Sequence, residues 1–193
     1  MNYRLSLFIC KQSRSSRVSE KQEIIDTPKL SEKDIKEYVL ERFEDVKQGK
    51  IKNLVSFQAM NKYMIMAHNQ DQLKILGSIV ASYKKISLLD IMSEYEKHLK
   101  IALERSPTIK SHSNVIMHIF GYFSKNFSQS EKEQFFELLN EFKREEITIG
   151  KILSEINPII YRFNNTYLAS QTYFLLYSDP QPGNLFQMLS QKS

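Results

Sequence analysis

His68, His98, His112 and His118 are the four side chains able to hold a metal or move a proton near neutral pH. Their spacing argues against a shared ion. No two fall at i, i+4, and no HExxH motif occurs. His112 and His118 are six residues apart, about 240° around a helix at about 100° per residue, so one helix aims them differently. The single cysteine, Cys10, cannot by itself hold a zinc ion or an iron–sulfur cluster. G-x-S-x-G and glycine-rich phosphate loops are also missing from the sequence. The residues therefore predict no catalytic group, no metal and no cofactor.

The stretch "SHSNVIMHIFGYF", residues 111–123, separates on a helical wheel. With His112 at the origin, Val115, Ile116, Ile119 and Phe123 fall within about 60°, the stripe of a core-facing helix. His112 is thus expected to be buried or half-buried. Asn114, His118, Gly121 and Lys125 lie on the opposite face with Tyr122 at its edge. That face reads either as solvated surface or as a contact surface, where Gly121 admits a partner's backbone. In a helix expected at about 52–68, Phe57, Asn61, Met64 and His68 share one side, and His68 reads as a helix-capping histidine. Gly77, inside "LKILGSIVA", is expected at a close helix–helix approach.

The elements that must position these residues are helical throughout. Hydrophobic content is 41%, with only five Gly and five Pro. Alternating strand patterns and internal repeats are absent from the sequence. Ser31 with Asp34 marks one helix start, Ser87 with Asp90 another, and Ser130 with Glu133 a third. A last long helix spans about 148–163, kinked by Pro158. The expectation is an all-α, compact bundle of about six to seven helices. Residues 1–30 read as a basic, loosely ordered N-terminal arm, 31–177 as a single helical domain, and 178–193 as a C-terminal tail.

Net charge is +5, and the surplus is central: residues 51–129 carry 10 Lys/Arg against 5 Asp/Glu. Such an excess attracts polyanions. The apolar run in "MNYRLSLFIC" is too short for a signal-peptide core, and no segment has the length to span a bilayer. With one cysteine, this points to a reducing, cytoplasmic setting without membrane attachment.

The runs "NKYMIMAHNQDQLKILGSIVA" (61–81), "PTIKSHSNVIMHIFGYF" (107–123) and "YLASQTYF" (167–174), with Tyr95, Leu99, Ala102 and Leu103 between, resemble the YbgA-like domain family over about residues 52–177. H-x-N-V-x-x-H-x-x-G-Y-F is the most specific part. In that family the domain is often fused behind an iron–sulfur domain; the fused relatives look like enzymes that remove sulfur from 4-thiouridine in tRNA, with the YbgA-like part thought to engage the RNA. This chain has Pro158 and Ile159 where relatives carry His-Tyr, and neutral Asn61 and Ser111 at positions often basic. The resemblance implies a non-catalytic domain that binds RNA, tRNA in particular, with a separate iron–sulfur desulfidase as a possible partner. Lys62, Lys84, Lys85, Arg105, Lys110 and Lys125 would meet phosphates, while Asn114, His118 and Tyr122 would hydrogen-bond or stack on an unpaired base. His68 and His112 complete the expected nucleic-acid-binding set. The alternative is a protein-interaction module that docks on a desulfidase or repair enzyme through the acidic helix 131–146 or an apolar groove.

Overall fold

Ser31 opens the first helix through a reciprocal cap: its hydroxyl accepts from the Asp34 N–H at 3.2 Å and its own N–H donates to the Asp34 carboxylate at 2.8 Å. The computed structural model describes residues 30–181 and 183, so the expected arm and most of the expected tail lie outside the described residues. Among the described residues there are ten helices and no strand: α1 (Glu32–Lys47), α2 (Ile51–Met60), α3 (Lys62–His68), α4 (Gln70–Ala81), α5 (Leu88–Glu104), α6 (Ile109–Phe120), α7 (Gln129–Lys143), α8 (Ile149–Arg162), α9 (Thr166–Ala169) and α10 (Thr172–Tyr177). Asn69, Ser87, Thr108, Ser128 and Thr148 cap α4 to α8 with their side chains.

The all-α expectation holds, while the helix count exceeds the six or seven expected. Part of the excess comes from the helix expected at 52–68, which divides at Asn61 into α2 and α3. The cause is distant in sequence. The Gln171 carboxamide donates to the Ala59 carbonyl at 2.8 Å and accepts from the Tyr63 N–H at 3.5 Å. These are the i, i+4 partners of an uninterrupted helix, so a side chain has entered the ladder. Asn61 adds a bond from its side chain to the Phe57 carbonyl at 2.9 Å. The short α9 and α10 supply the rest. The cap of α7 is Ser128 with Glu131, two residues before the expected pair, because the helix begins directly after the buried ring of Phe127.

Two aromatic clusters anchor the interior. In the first, Tyr95 of α5 stacks on Phe43 of α1 at 5.3 Å and meets Phe57 of α2 edge-on at 6.1 Å. In the second, Phe120, Phe123, Phe127, Phe135 and Phe163 join α6, α7 and α8, with Phe120 and Phe135 stacked at 4.4 Å. Each such pair adds about 0.5–1.5 kcal/mol beyond area burial. Arg162 seals this cluster, its guanidinium 4.6 Å from the Phe163 ring centre and 2.6 Å from Glu131.

Pro158 lies inside α8 without ending it. Proline has no N–H for the carbonyl four residues earlier. That carbonyl, on Ser154, accepts from the Gly183 N–H at 3.0 Å. Asp179, whose N–H donates to the Gly150 carbonyl at 3.1 Å, and Gly183 therefore lie along α8, and the start of the expected tail belongs to the packed domain. A methyl group on Gly183 would lie 2.6 Å from the Glu155 Cα, so only glycine fits there.

Candidate nucleic-acid interface

Helix α6 and the turn after it carry both halves of the motif between residues 112 and 123, and the fold separates them. His112 and Ser113 are buried with Val115, Ile116, Ile119 and Phe120, while His118 is exposed. The wheel's division of the two histidines is what the structure has.

The inner half is a hydrogen-bonded network. His112 Nδ1 lies 2.7 Å from the Tyr173 hydroxyl, and its ring meets Tyr177 edge-on at 5.1 Å. His68 Nδ1 lies 2.6 Å from the Arg105 carbonyl, and its Nε2 lies 3.1 Å from the Tyr177 hydroxyl. The carbonyl can only accept, so Nδ1 carries the proton and Nε2 accepts from Tyr177. Glu32 stands at the edge, 3.4 Å from the same hydroxyl. Burial lowers the His68 pKa to about 4, against the hydrogen bond to the Arg105 carbonyl. Both histidines were expected to contact nucleic acid. His68, with a fully buried side chain, and His112, at 7% exposure, instead tie α3 and α6 to α10. His68 is not a helix-end imidazolium either, because burial outweighs the pull of the helix dipole.

The outer half ends in tyrosines. Tyr122, 44% exposed, stacks on half-buried Tyr167 with centroids 6.0 Å apart and planes inclined by 25°. Buried Tyr63 meets Tyr167 edge-on at 6.5 Å. Burial first, then Tyr122, holds the Tyr63 phenol well above its ordinary pKa. Tyr63 and Tyr167 were absent from the expected set, although both lie in the runs that carry the resemblance. The Lys62 ammonium sits 5.5 Å from the Tyr63 ring centre. His118 precedes Tyr122 by one turn and Lys125 follows it by three residues, both exposed. Asn114, one turn before His118, donates to Gln70 of α4 at 3.1 Å.

The remaining cations do not all gather here. Lys110, in the first turn of α6, and Arg105, just after α5, belong to the other end of α6. Twelve residues at about 1.5 Å each put that end about 18 Å away. Lys84 and Lys85 are exposed in the turn joining α4 and α5, a full α5 length from Arg105. His98 is also accounted for, its Nδ1 2.7 Å from Gln72 Oε1. Among the described residues, no cluster of three or more His, Cys, Asp or Glu is arranged to hold a metal ion. No helix among them is long and apolar enough to cross a membrane.

Gly77 departs from its expected role. Apart from Gln58 Nε2 at 4.0 Å, a methyl group there would meet open space. The glycine lines a groove of about 380 Å³ between α2 and α4, not a close helix contact.

Comparison with known proteins agrees with this motif-bearing core. The family described as "Protein of unknown function (DUF1722)" matches residues 62–178, from the start of α3 to just past α10. The "Uncharacterized protein YbgA" of Escherichia coli (strain K12) is 26% identical over 125 residues, covering 64% of this chain and 74% of that protein. No solved structure matches. The residues matched by the family contain Tyr63, His68, His112, Tyr122, Tyr167 and Gln171, the groups that build both halves of the site, and the chain belongs to the DUF1722, YbgA-like family.

Proposed function

We propose that this protein is a non-catalytic, cytoplasmic RNA-binding domain, with tRNA as its class of partner, related to the RNA-engaging part of tRNA desulfidases. The observation that carries the reading is the exposed Tyr122–Tyr167 stack beside Lys62, His118 and Lys125. A planar phenol pair offers an unpaired base a π-face, and neighbouring cations take the flanking phosphates. Such stacking is worth about 1–3 kcal/mol per base. Arg105 and Lys110 at one end, and Lys84 and Lys85 at another, would extend the phosphate track on a large folded RNA.

The test is an electrophoretic mobility shift of bulk tRNA at low and moderate salt. Binding that weakens steeply with salt is expected, because phosphate contacts release counterions. Changing His118 and Lys125 together to alanine should weaken that binding with the helical signal intact. Absence of any shift at low salt would sink the reading.

One observation favours docking on a separate enzyme instead. The turn between α4 and α5 and the first turn of α5 expose Tyr83, Ile86, Leu88 and Leu89, the last at 80%. Neighbouring exposed apolar side chains of this kind mark protein contacts. Leu88→Ser with Leu89→Ser should leave the tRNA shift unchanged if that face serves a protein.

A further inference from the structure

Every residue from Tyr83 to Asp90 is exposed, and Tyr83, Ile86, Leu88 and Leu89 among them are large and apolar. Leu88 and Leu89, with buried Met92, also line a hollow of about 640 Å³ between the end of α1 and the start of α5. At its rim the Lys47 ammonium lies 2.9 Å from Glu96. One face thus carries a projection, Tyr83 and Ile86 on the turn, and beside it a hollow floored by the residues that follow. Its charges divide in the same way. Lys84 and Lys85 precede the leucines, while Asp90 and Glu94 come after them. Among the described residues Lys84 meets only the Tyr83 ring, Lys85 makes no ion pair, and the Asp90 carboxylate accepts only from the Ser87 hydroxyl. Glu94 has only long contacts, 3.7 Å to Lys97 and 3.8 Å to His98.

We infer that this face pairs with a second copy of the chain about a two-fold axis. Such a contact sets one patch against its own rotated image, so the patch must complement itself. Here the rotation brings the lysines of one copy to the carboxylates of the other, and Ile86 of each copy to the other's hollow. Pairing also takes the exposed leucines out of water, the main driving force of association. The inference goes beyond RNA binding and does not depend on it. In the dimer Lys84 and Lys85 serve the interface, and the cations around Tyr122 and at Arg105 and Lys110 are left for RNA. A second copy also occupies the face that could otherwise dock a separate enzyme.

Sedimentation equilibrium of the full chain from micromolar to millimolar concentration tests the pairing. The mass should rise with concentration to twice that of a single chain. Leu89→Ser alters a side chain that is 80% exposed, so the helical signal should not change. The dimer should weaken by about tenfold for each of its two leucines. Lys84→Glu with Lys85→Glu should weaken it by about tenfold or more, and so should Glu94→Lys, because like charges then face each other. Mixed in equal amounts, these two variants should pair again, since each supplies the charge the other lacks; chains that had merely lost structure would stay apart. A single chain at every concentration overturns the proposal, whatever then covers the face. A dimer unmoved by Leu89→Ser and by both charge variants places the contact elsewhere and overturns it as well. So does a loss of the tRNA shift in Lys84→Glu with Lys85→Glu while the dimer stays intact, which would return those lysines to RNA.

Discussion

Tyr122 lies against Tyr167 with ring centres 6.0 Å apart and planes 25° from parallel, which joins the turn after α6 to α9 across 45 residues of sequence. The pair leaves one ring edge and face toward solvent, since Tyr122 is 44% exposed. Tyr122→Ala is expected to weaken tRNA binding by about five- to a hundredfold, the cost of one lost base stack of about 1–3 kcal/mol. Tyr122→Phe should bind almost as wild type, because stacking needs the ring and not the hydroxyl. Equal loss in both variants would show that the hydroxyl, not the ring face, makes the contact.

Gln171 is expected to set the geometry between α2 and α3. Gln171→Leu removes the partner of the Ala59 carbonyl and the Tyr63 N–H, both supplied by the amide in the native fold. Unpaired buried polar groups cost about 1–3 kcal/mol. The check is thermal unfolding, with Tm lowered by several degrees at this chain length. An unchanged Tm would mean that the two helices close into one without penalty.

Stability should depend on pH through His68. The group titrates near 6.5 in the unfolded chain and near 4 when folded, because burial and nearby Lys36 outweigh the bond to the Arg105 carbonyl. The unfolded state therefore binds the proton first. Stability from the neutral ring is complete above about pH 7 and is lost as pH falls toward 4, by about 3 kcal/mol at 1.36 kcal/mol per unit. Glu32 acts oppositely: burial raises its pKa above 4.5, so its contribution is present below that value and lost as pH rises through the folded pKa. Denaturant midpoints measured from pH 8 to 5 should fall, and His68→Asn should flatten the fall. A level wild-type profile would contradict the burial of His68.

Gly183→Ala probes the docking of Asp179 and Gly183 on α8. The new methyl would meet the Glu155 Cα at 2.6 Å, a contact that needs a backbone shift. Overpacking of this kind costs about 1–3 kcal/mol. The variant should also free the Ser154 carbonyl that Gly183 bonds. Hydrogen exchange in α8 around Pro158 is the direct readout, and protection equal to wild type would refute the assignment.

Helix starts were legible because a cap is a contact over three residues: Ser31 with Asp34 and Ser87 with Asp90 stand where expected. The buried stripe of α6 was equally legible, since a period near 3.6 is set by one helix alone. The family's motifs marked the residues that matter without saying which touch. Tyr63, Tyr122 and Tyr167 could not be joined on a wheel, because each comes from a different helix or turn. His68 was misread for the same reason, as its cover comes from Arg105 and from Tyr177, 109 residues on. The break between α2 and α3 was hidden in a side chain 108 residues from Tyr63. Gly77 shows the limit most plainly, since a missing side chain serves a tight contact or an open groove equally well. Local sequence determined where helices begin and which faces turn inward, because those depend on neighbours within a turn or two. Which faces meet, which histidine loses its water and which glycine leaves a hole depend on atoms distant in the chain, and the tertiary structure alone decided them.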